Sequence, residues 1–197
     1  MPSLVVPFRG AEGKSRLLVS SRAVRSALVH AMLADVVDAC VTVGPTFVVT
    51  PETLAALPVT TVRDPGRGQG AAVRAGLYAA VAAGGVAPLL VVNADLPAVE
   101  PRDLLALAGS MPADGIAVAA ARDGTTNALA VASAELFAPV YGPNSAERFR
   151  ALAPSRLVDS PNLVDDVDTV ADLERLGRRV GTHTRGLLVA LRAEAAA

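Results

Sequence analysis

Four aspartates carry much of the chemistry that this sequence could perform. Asp95 stands in PLLVVNADLP (residues 88–97), and Asp165, Asp166 and Asp168 stand together in LVDDVDT. The apolar run from Leu89 to Val92 suits a strand buried on both faces of a largely parallel sheet. Asp95 follows almost directly, so its carboxylate falls just past the carboxyl end of a central strand, where open α/β sheets bind ligands. A carboxylate there is suited to a hard cation such as Mg²⁺, which prefers oxygen ligands and substrate phosphates. Asp is also common in plain turns, so Asp95 alone leaves both readings open. If Asp166 and Asp168 are extended, their i, i+2 spacing turns both carboxylates to one side. Like charges held together are costly, which makes a metal the natural third partner. Attraction to the helix start at Thr169 explains one such acid well and three poorly.

The cations and glycines supply the other half. Residues 8–15 read F-R-G-A-E-G-K-S, a G-x-x-x-x-G-K-S phosphate loop with Phe8 where its first glycine belongs. Phe does not easily take the positive φ that lets such a loop wrap phosphates, so this reading is the weaker one. In the alternative, Lys14 and Arg16 contact a triphosphate as side chains; solvated loop charges are the plain reading. DPGRGQG (residues 64–70) places Gly66, Gly68 and Gly70 before a helix, which lets backbone approach a ligand closely. In YGPNS (residues 141–145), Ser145 is expected as an N-cap whose helix start and hydroxyl could hold a carboxylate or phosphate. His30 and His183 lack a nucleophile pattern and are assigned no catalytic part.

Composition bounds the classes. With 197 residues, 52% apolar and 19% charged, the chain is globular and reads as one domain, residues 1–197. A net charge of −1 offers no excess to neutralise phosphates, against general nucleic-acid binding. Aromatics at 3% make base-stacking platforms unexpected. The single cysteine, Cys40, cannot form an internal disulfide and reads as a buried hydrophobe at a helix–strand junction. No apolar run is expected to approach the ~20 residues of a membrane span, and the location expected is cytoplasmic.

The elements that must position these residues follow in order. Strands are expected at residues 3–7, 46–50, 60–63 and 89–92, and helices at 22–38, 51–57, 71–83 and 101–111. That alternation indicates a parallel sheet covered on both faces. Residues 116–121 and 127–132 then read as a hairpin across Asp123-Gly124, which makes the sheet mixed. A short helix over 145–153, a strand over 156–158, a capped helix over 169–179 and a last helix from 182 complete the chain.

Taken together, GKSRL, NADLP, GTTNAL, YGPNS and DVDTVADL resemble the 2-phospho-L-lactate and phosphoenolpyruvate guanylyltransferases of coenzyme F-420 biosynthesis. The resemblance implies a three-layer α/β/α nucleotidyltransferase fold with a mixed, mostly parallel sheet, like that of molybdenum-cofactor guanylyltransferases. It implies two Mg²⁺ held by Asp95, Asp166 and Asp168. It sets the acid against Thr126, Gly142 and Ser145, and the GTP phosphates against Lys14 and Arg16; Gly68 and Gly70 of the glycine-rich loop are expected as further nucleotide contacts from the loop reading above. The sequence departs from that family at Phe8-Arg9, where a lysine is usual, and at GRGQG. A histidine usual after G-P-x-S is also absent, with Arg148 and Phe149 in that region. The expected reaction is attack of phosphoenolpyruvate or 2-phospholactate on the α-phosphorus of GTP, with Asp95, Lys14 and Arg16 catalytic. Two other readings stand beside it: transfer to another acceptor such as molybdopterin, and a non-catalytic nucleotide-binding domain. No nucleic acid or membrane partner is expected, and a homodimer is left open.

Overall fold

A computed structural model describes residues 1–10, 17, 19, 21–54 and 57–195. Its frame is a seven-stranded sheet in the order β3-β2-β1-β4-β6-β5-β7. The strands are β1 Ser3–Pro7, β2 Thr46–Thr50, β3 Thr60–Arg63, β4 Leu89–Val92, β5 Ile116–Ala120, β6 Thr126–Val131 and β7 Ser155–Leu157. β6 runs antiparallel to both β4 and β5, and every other pairing is parallel. The expected hairpin is therefore the one reversal in a mixed, mostly parallel sheet. β1, β2, β4 and β6 are buried almost throughout, as expected of apolar runs covered on both faces.

Two apolar cores lie on opposite faces of this sheet, which makes the architecture α/β/α. One face packs Leu4, Val6, Val48, Leu90 and Val92 against α1 (Arg22–Val43), α3 (Pro101–Ser110), α5 (Pro161–Val164), α6 (Val170–Leu176) and α7 (Thr182–Ala195). The other packs Val5, Val49, Val91, Val118 and Leu129 against α2 (Gln69–Ala82) and α4 (Ser145–Arg150). α2 lies very close to the sheet, because a Cβ on Gly76 would collide with Val5 and Val49. α7 is clasped to α1 by a buried acid: the Asp35 carboxylate accepts from the amides of His183, at 2.8 Å, and Thr184, at 3.0 Å. His183 also reaches Asp38, at 2.9 Å.

Some expectations are corrected. α1 runs five residues past the expected end, to Val43, so Cys40 lies inside the helix rather than at its junction with a strand. By length and mean hydropathy (1.6) α1 could cross a membrane, contrary to the reading above, yet 56% of that window is buried inside this fold. The described residues of 51–57 form no helix. There the Glu52 amide donates to Thr50 Oγ1 at 3.1 Å, a side-chain turn that competes with helical bonding. Ser145 is the first residue of α4 and not its cap; the cap is Asn144, in the left-handed region at φ 55°. The capped helix expected over 169–179 ends earlier, at Leu176, and continues as a 3₁₀ turn over Gly177–Arg179.

Candidate active site

The chain leaves β1 towards β2 and β3 on one side and returns with β4 on the other, so β1 and β4 flank the point where the strand order reverses. A cavity of about 290 Å³ opens there, lined among others by Arg9, Gly10, Asp64, Gln69, Asn93 and Asp95. Asn93 organises its floor. Its amide donates to Asn127 O at 3.0 Å, which carries the ladder one residue beyond β4. Its side chain donates to Thr126 O at 3.1 Å and accepts from Gln69 Nε2 at 2.9 Å. One asparagine thus ties the start of α2, the end of β4 and the start of β6 together.

The same floor receives the second acidic segment. The Val167 amide donates to Asp95 O at 3.0 Å, and Val167 itself is wholly buried. Val167 points inward, while Asp166 and Asp168 on either side of it are only half-buried. Asn127 Nδ2 donates to the carbonyls of Leu163 (3.0 Å) and Val164 (3.2 Å) and to Asp166 Oδ1 (3.3 Å). One carboxylate oxygen from each of Asp95, Asp166 and Asp168 then lies within 4.8 Å of the other two, all three residues half-buried. Hard oxygens at that spacing fit a divalent cation whose bonds to oxygen are ~2.1 Å long, after small side-chain shifts.

Asp165 has a different task. It is buried and accepts from Arg122 Nε at 2.6 Å and Arg179 Nη1 at 2.9 Å, with Arg175 Nε at 3.5 Å. Burial opposes its charge, but the Arg122 and Arg179 hydrogen bonds outweigh that and hold its carboxyl below the usual range. Asp172 closes the segment from the other end as half of a capping box with Thr169, and its carboxylate also accepts from the Asp168 amide at 3.1 Å. Burial disfavours that charge as well, yet Arg175 and Thr169 bring its pKa down to about 2. The loop bearing Asp166 and Asp168 is therefore anchored at both ends by acids that face arginines.

Each remaining expected site residue has a definite place. Lys14 and Arg16 lie outside the described residues. Gly68 caps α2 at φ 91°, a conformation that favours glycine. Gly70 packs against Pro139, and any Cβ there would collide with it. Gly142, at φ 110°, turns the chain into α4. Thr126 and Ser145 are both buried, and their hydroxyls lie 2.9 Å apart. Because Thr126 O also receives Asn93, this pair adjoins the cavity floor. Sequence reasoning missed the bridging parts of Asn93, Gln69 and Asn127. The signal available was their position: each is a polar residue directly at the end or start of an apolar element.

A mixed α/β/α sheet with an acidic cluster at its reversal point is suited to binding a metal-bound phosphorylated ligand. Comparison with known proteins makes this specific. Residues 11–157 match the MobA-like NTP transferase domain. The chain is 37% identical to the phosphoenolpyruvate guanylyltransferase of Nocardia farcinica, over 94% of this chain and 89% of that one. It is 36% identical to the 3-phospho-D-glycerate guanylyltransferase of Phenylobacterium zucineum, over 90% of each. It is also 36% identical to the 2-phospho-L-lactate guanylyltransferase of Natrialba magadii, over 86% of this chain and 80% of that one. Among solved structures, a nucleotidyl transferase from Methanothermobacter superposes with a TM-score of 0.63 at 20% identity, over 96% of this chain and 99% of that one. The chain belongs to the MobA-like NTP transferase family and, within it, to the phosphoenolpyruvate and 2-phospho-L-lactate guanylyltransferases.

Proposed function

We propose that this protein joins GTP to a small phosphorylated acid, phosphoenolpyruvate or 2-phospho-L-lactate, and releases pyrophosphate, as a step in coenzyme F-420 biosynthesis. The observation that supports this best is the convergence of Asp95, Asp166 and Asp168 beside the cavity at the β1/β4 reversal, in a chain of this family. In the reaction, a phosphate oxygen of the acid forms a bond to the α-phosphorus of GTP while the bond to the β-phosphate bridging oxygen breaks. A phosphate dianion is already nucleophilic near neutral pH, so no histidine base is required. Positioning and charge neutralisation then supply the rate.

Asp95, Asp166 and Asp168 would hold Mg²⁺, which when bound neutralises charge on the triphosphate and the leaving pyrophosphate. Lys14 and Arg16 would add cationic contacts to the triphosphate. Gly68 and Gly70 would keep the wall of the cavity close to the nucleotide. The acid would lie by Thr126, Gly142 and Ser145, where Asn93 and Gln69 hold the floor rigid from below. The 3-phospho-D-glycerate relative makes that acid a third candidate acceptor.

The test is pyrophosphate release by the purified protein with GTP, ATP or CTP against each of the three acids. Release with GTP and one of these acids is the expected result. Release that requires none of them, or none at all with any nucleotide, refutes the assignment.

A further inference from the structure

One half-buried contact lies behind the cavity wall and has no part in the chemistry above. Residues 8–10 form that wall, and they sit between two side chains from elsewhere in the chain. The Phe8 ring meets the His30 ring edge-to-face with centroids 5.3 Å apart. Gly10, at φ 75°, lies with its Cα against Glu52 Oε1, where any side chain on it would collide with the carboxylate. His30 and Glu52 in turn join each other, Nε2 to Oε2 at 2.7 Å. The second ring nitrogen, Nδ1, lies 2.7 Å from the Ser26 carbonyl oxygen.

The proton count follows from the partners. A carbonyl oxygen can only accept, so Nδ1 must carry a hydrogen. An ionised carboxylate oxygen also accepts, so with Glu52 charged Nε2 carries one as well. A ring that donates from both nitrogens is the imidazolium. We propose that His30, as imidazolium, and Glu52 form a charged clasp that positions residues 8–10 and so shapes the nucleotide cavity. Both are positioning residues, since neither is among the residues that line the cavity. The proposal rests on the reading that this cavity takes GTP.

The electrostatics agree with the geometry. Burial opposes the charge on His30, but the Ser26 carbonyl and the Glu52 carboxylate outweigh it and raise its pKa above the ordinary 6.5. Glu52 is the charged group that faces the ring among the described residues; Phe8 and the Ser26 carbonyl complete its surroundings. The clasp is therefore complete below the ordinary histidine pKa and is lost as pH rises through the raised one.

The experiment compares wild type with Glu52→Gln and His30→Gln. Three quantities are read between pH 6 and 9: calorimetric GTP affinity, the KM values for GTP and for the acid, and the NMR titration of His30. Glu52→Gln keeps the shape and one acceptor but removes the charge. The KM and Kd for GTP should rise roughly three- to tenfold, about one ordinary hydrogen bond's worth, with kcat and the acid KM nearly unchanged. In wild type the GTP affinity should weaken as His30 loses its proton. That inflection should move to lower pH in Glu52→Gln and vanish in His30→Gln, which separates it from the ionisation of GTP itself. Equal GTP affinity in all three proteins overturns the clasp, as does a His30 that titrates identically with and without the Glu52 charge. A wild type that binds no GTP instead refutes the nucleotide reading, and the His30 titration then decides whether the imidazolium pair exists.

Discussion

Replacing Asp165 and Asp168 separately should divide stability from activity, although the two acids are three residues apart. Asp165 is a buried carboxylate that faces Arg122, Arg175 and Arg179. Asp165→Asn keeps the volume but turns an amide N–H towards a guanidinium, and it leaves the arginines without their shared counter-charge. Breaking a fully buried pair costs roughly 3–5 kcal/mol. Here the arginine side chains are 39–62% exposed, so water takes over part of their solvation and the lower end applies. A loss of about 2–3 kcal/mol in a chain of this size lowers Tm by roughly 5–10 °C. Asp168→Asn should change stability by less than about 1 kcal/mol, because that side chain is only half-buried and the substitution keeps its volume. Its activity should nonetheless fall to background. The assay is thermal and urea denaturation beside steady-state pyrophosphate release for both variants. Equal melting of Asp165→Asn and wild type, or equal destabilisation by the two substitutions, would refute this division of labour.

Three further outcomes follow from other parts of the fold. Asp35→Ala removes the acceptor for two backbone amides at the start of α7; it should cost about 2–4 kcal/mol and speed amide exchange in residues 182–195 before the rest of the chain. Gly76→Val should destabilise by more than ~2 kcal/mol in urea titrations, because α2 must lift off Val5 and Val49 to admit the side chain. The lowered pKa values of Asp165 and Asp172 mean that their contribution is complete above the ordinary carboxyl value and is lost as pH falls through the folded ones, which for Asp172 is about 2. The urea midpoint should therefore fall steeply below about pH 4, and less steeply in Asp172→Ala.

The strands were legible because each is an apolar run that must be covered on both faces, as at Leu89–Val92, and because Asp123-Gly124 marks the hairpin. The i, i+2 spacing of Asp166 and Asp168 agrees with the buried Val167 between them and with the convergence of their carboxylates. What stayed hidden depends on partners far away in the chain. Ser145 reads as a cap from its own neighbours, yet its hydroxyl meets Thr126, 19 residues earlier, and Asn144 caps the helix instead. Asp165 looks like its two neighbours until Arg122, 43 residues earlier, is brought beside it. Residues 51–57 carry a helix signal in Pro51, but Glu52 spends its backbone on Thr50 and its side chain on His30, 22 residues earlier. Local pattern gives the element; long-range hydrogen bonding decides its caps and its acids.

The central claim is that the three converging carboxylates hold Mg²⁺ for guanylyl transfer. Its most direct test is a Mg²⁺ titration of pyrophosphate release from GTP and phosphoenolpyruvate by wild type and Asp95→Asn, each with its Tm. Asp95→Asn keeps the size of the side chain and removes one ligand charge. Saturable Mg²⁺ dependence in wild type and a loss of more than about a hundredfold in the variant, at near-equal Tm, is the predicted result. Release that is indifferent to chelation of divalent cations, or an Asp95→Asn protein that turns over like wild type, would contradict it.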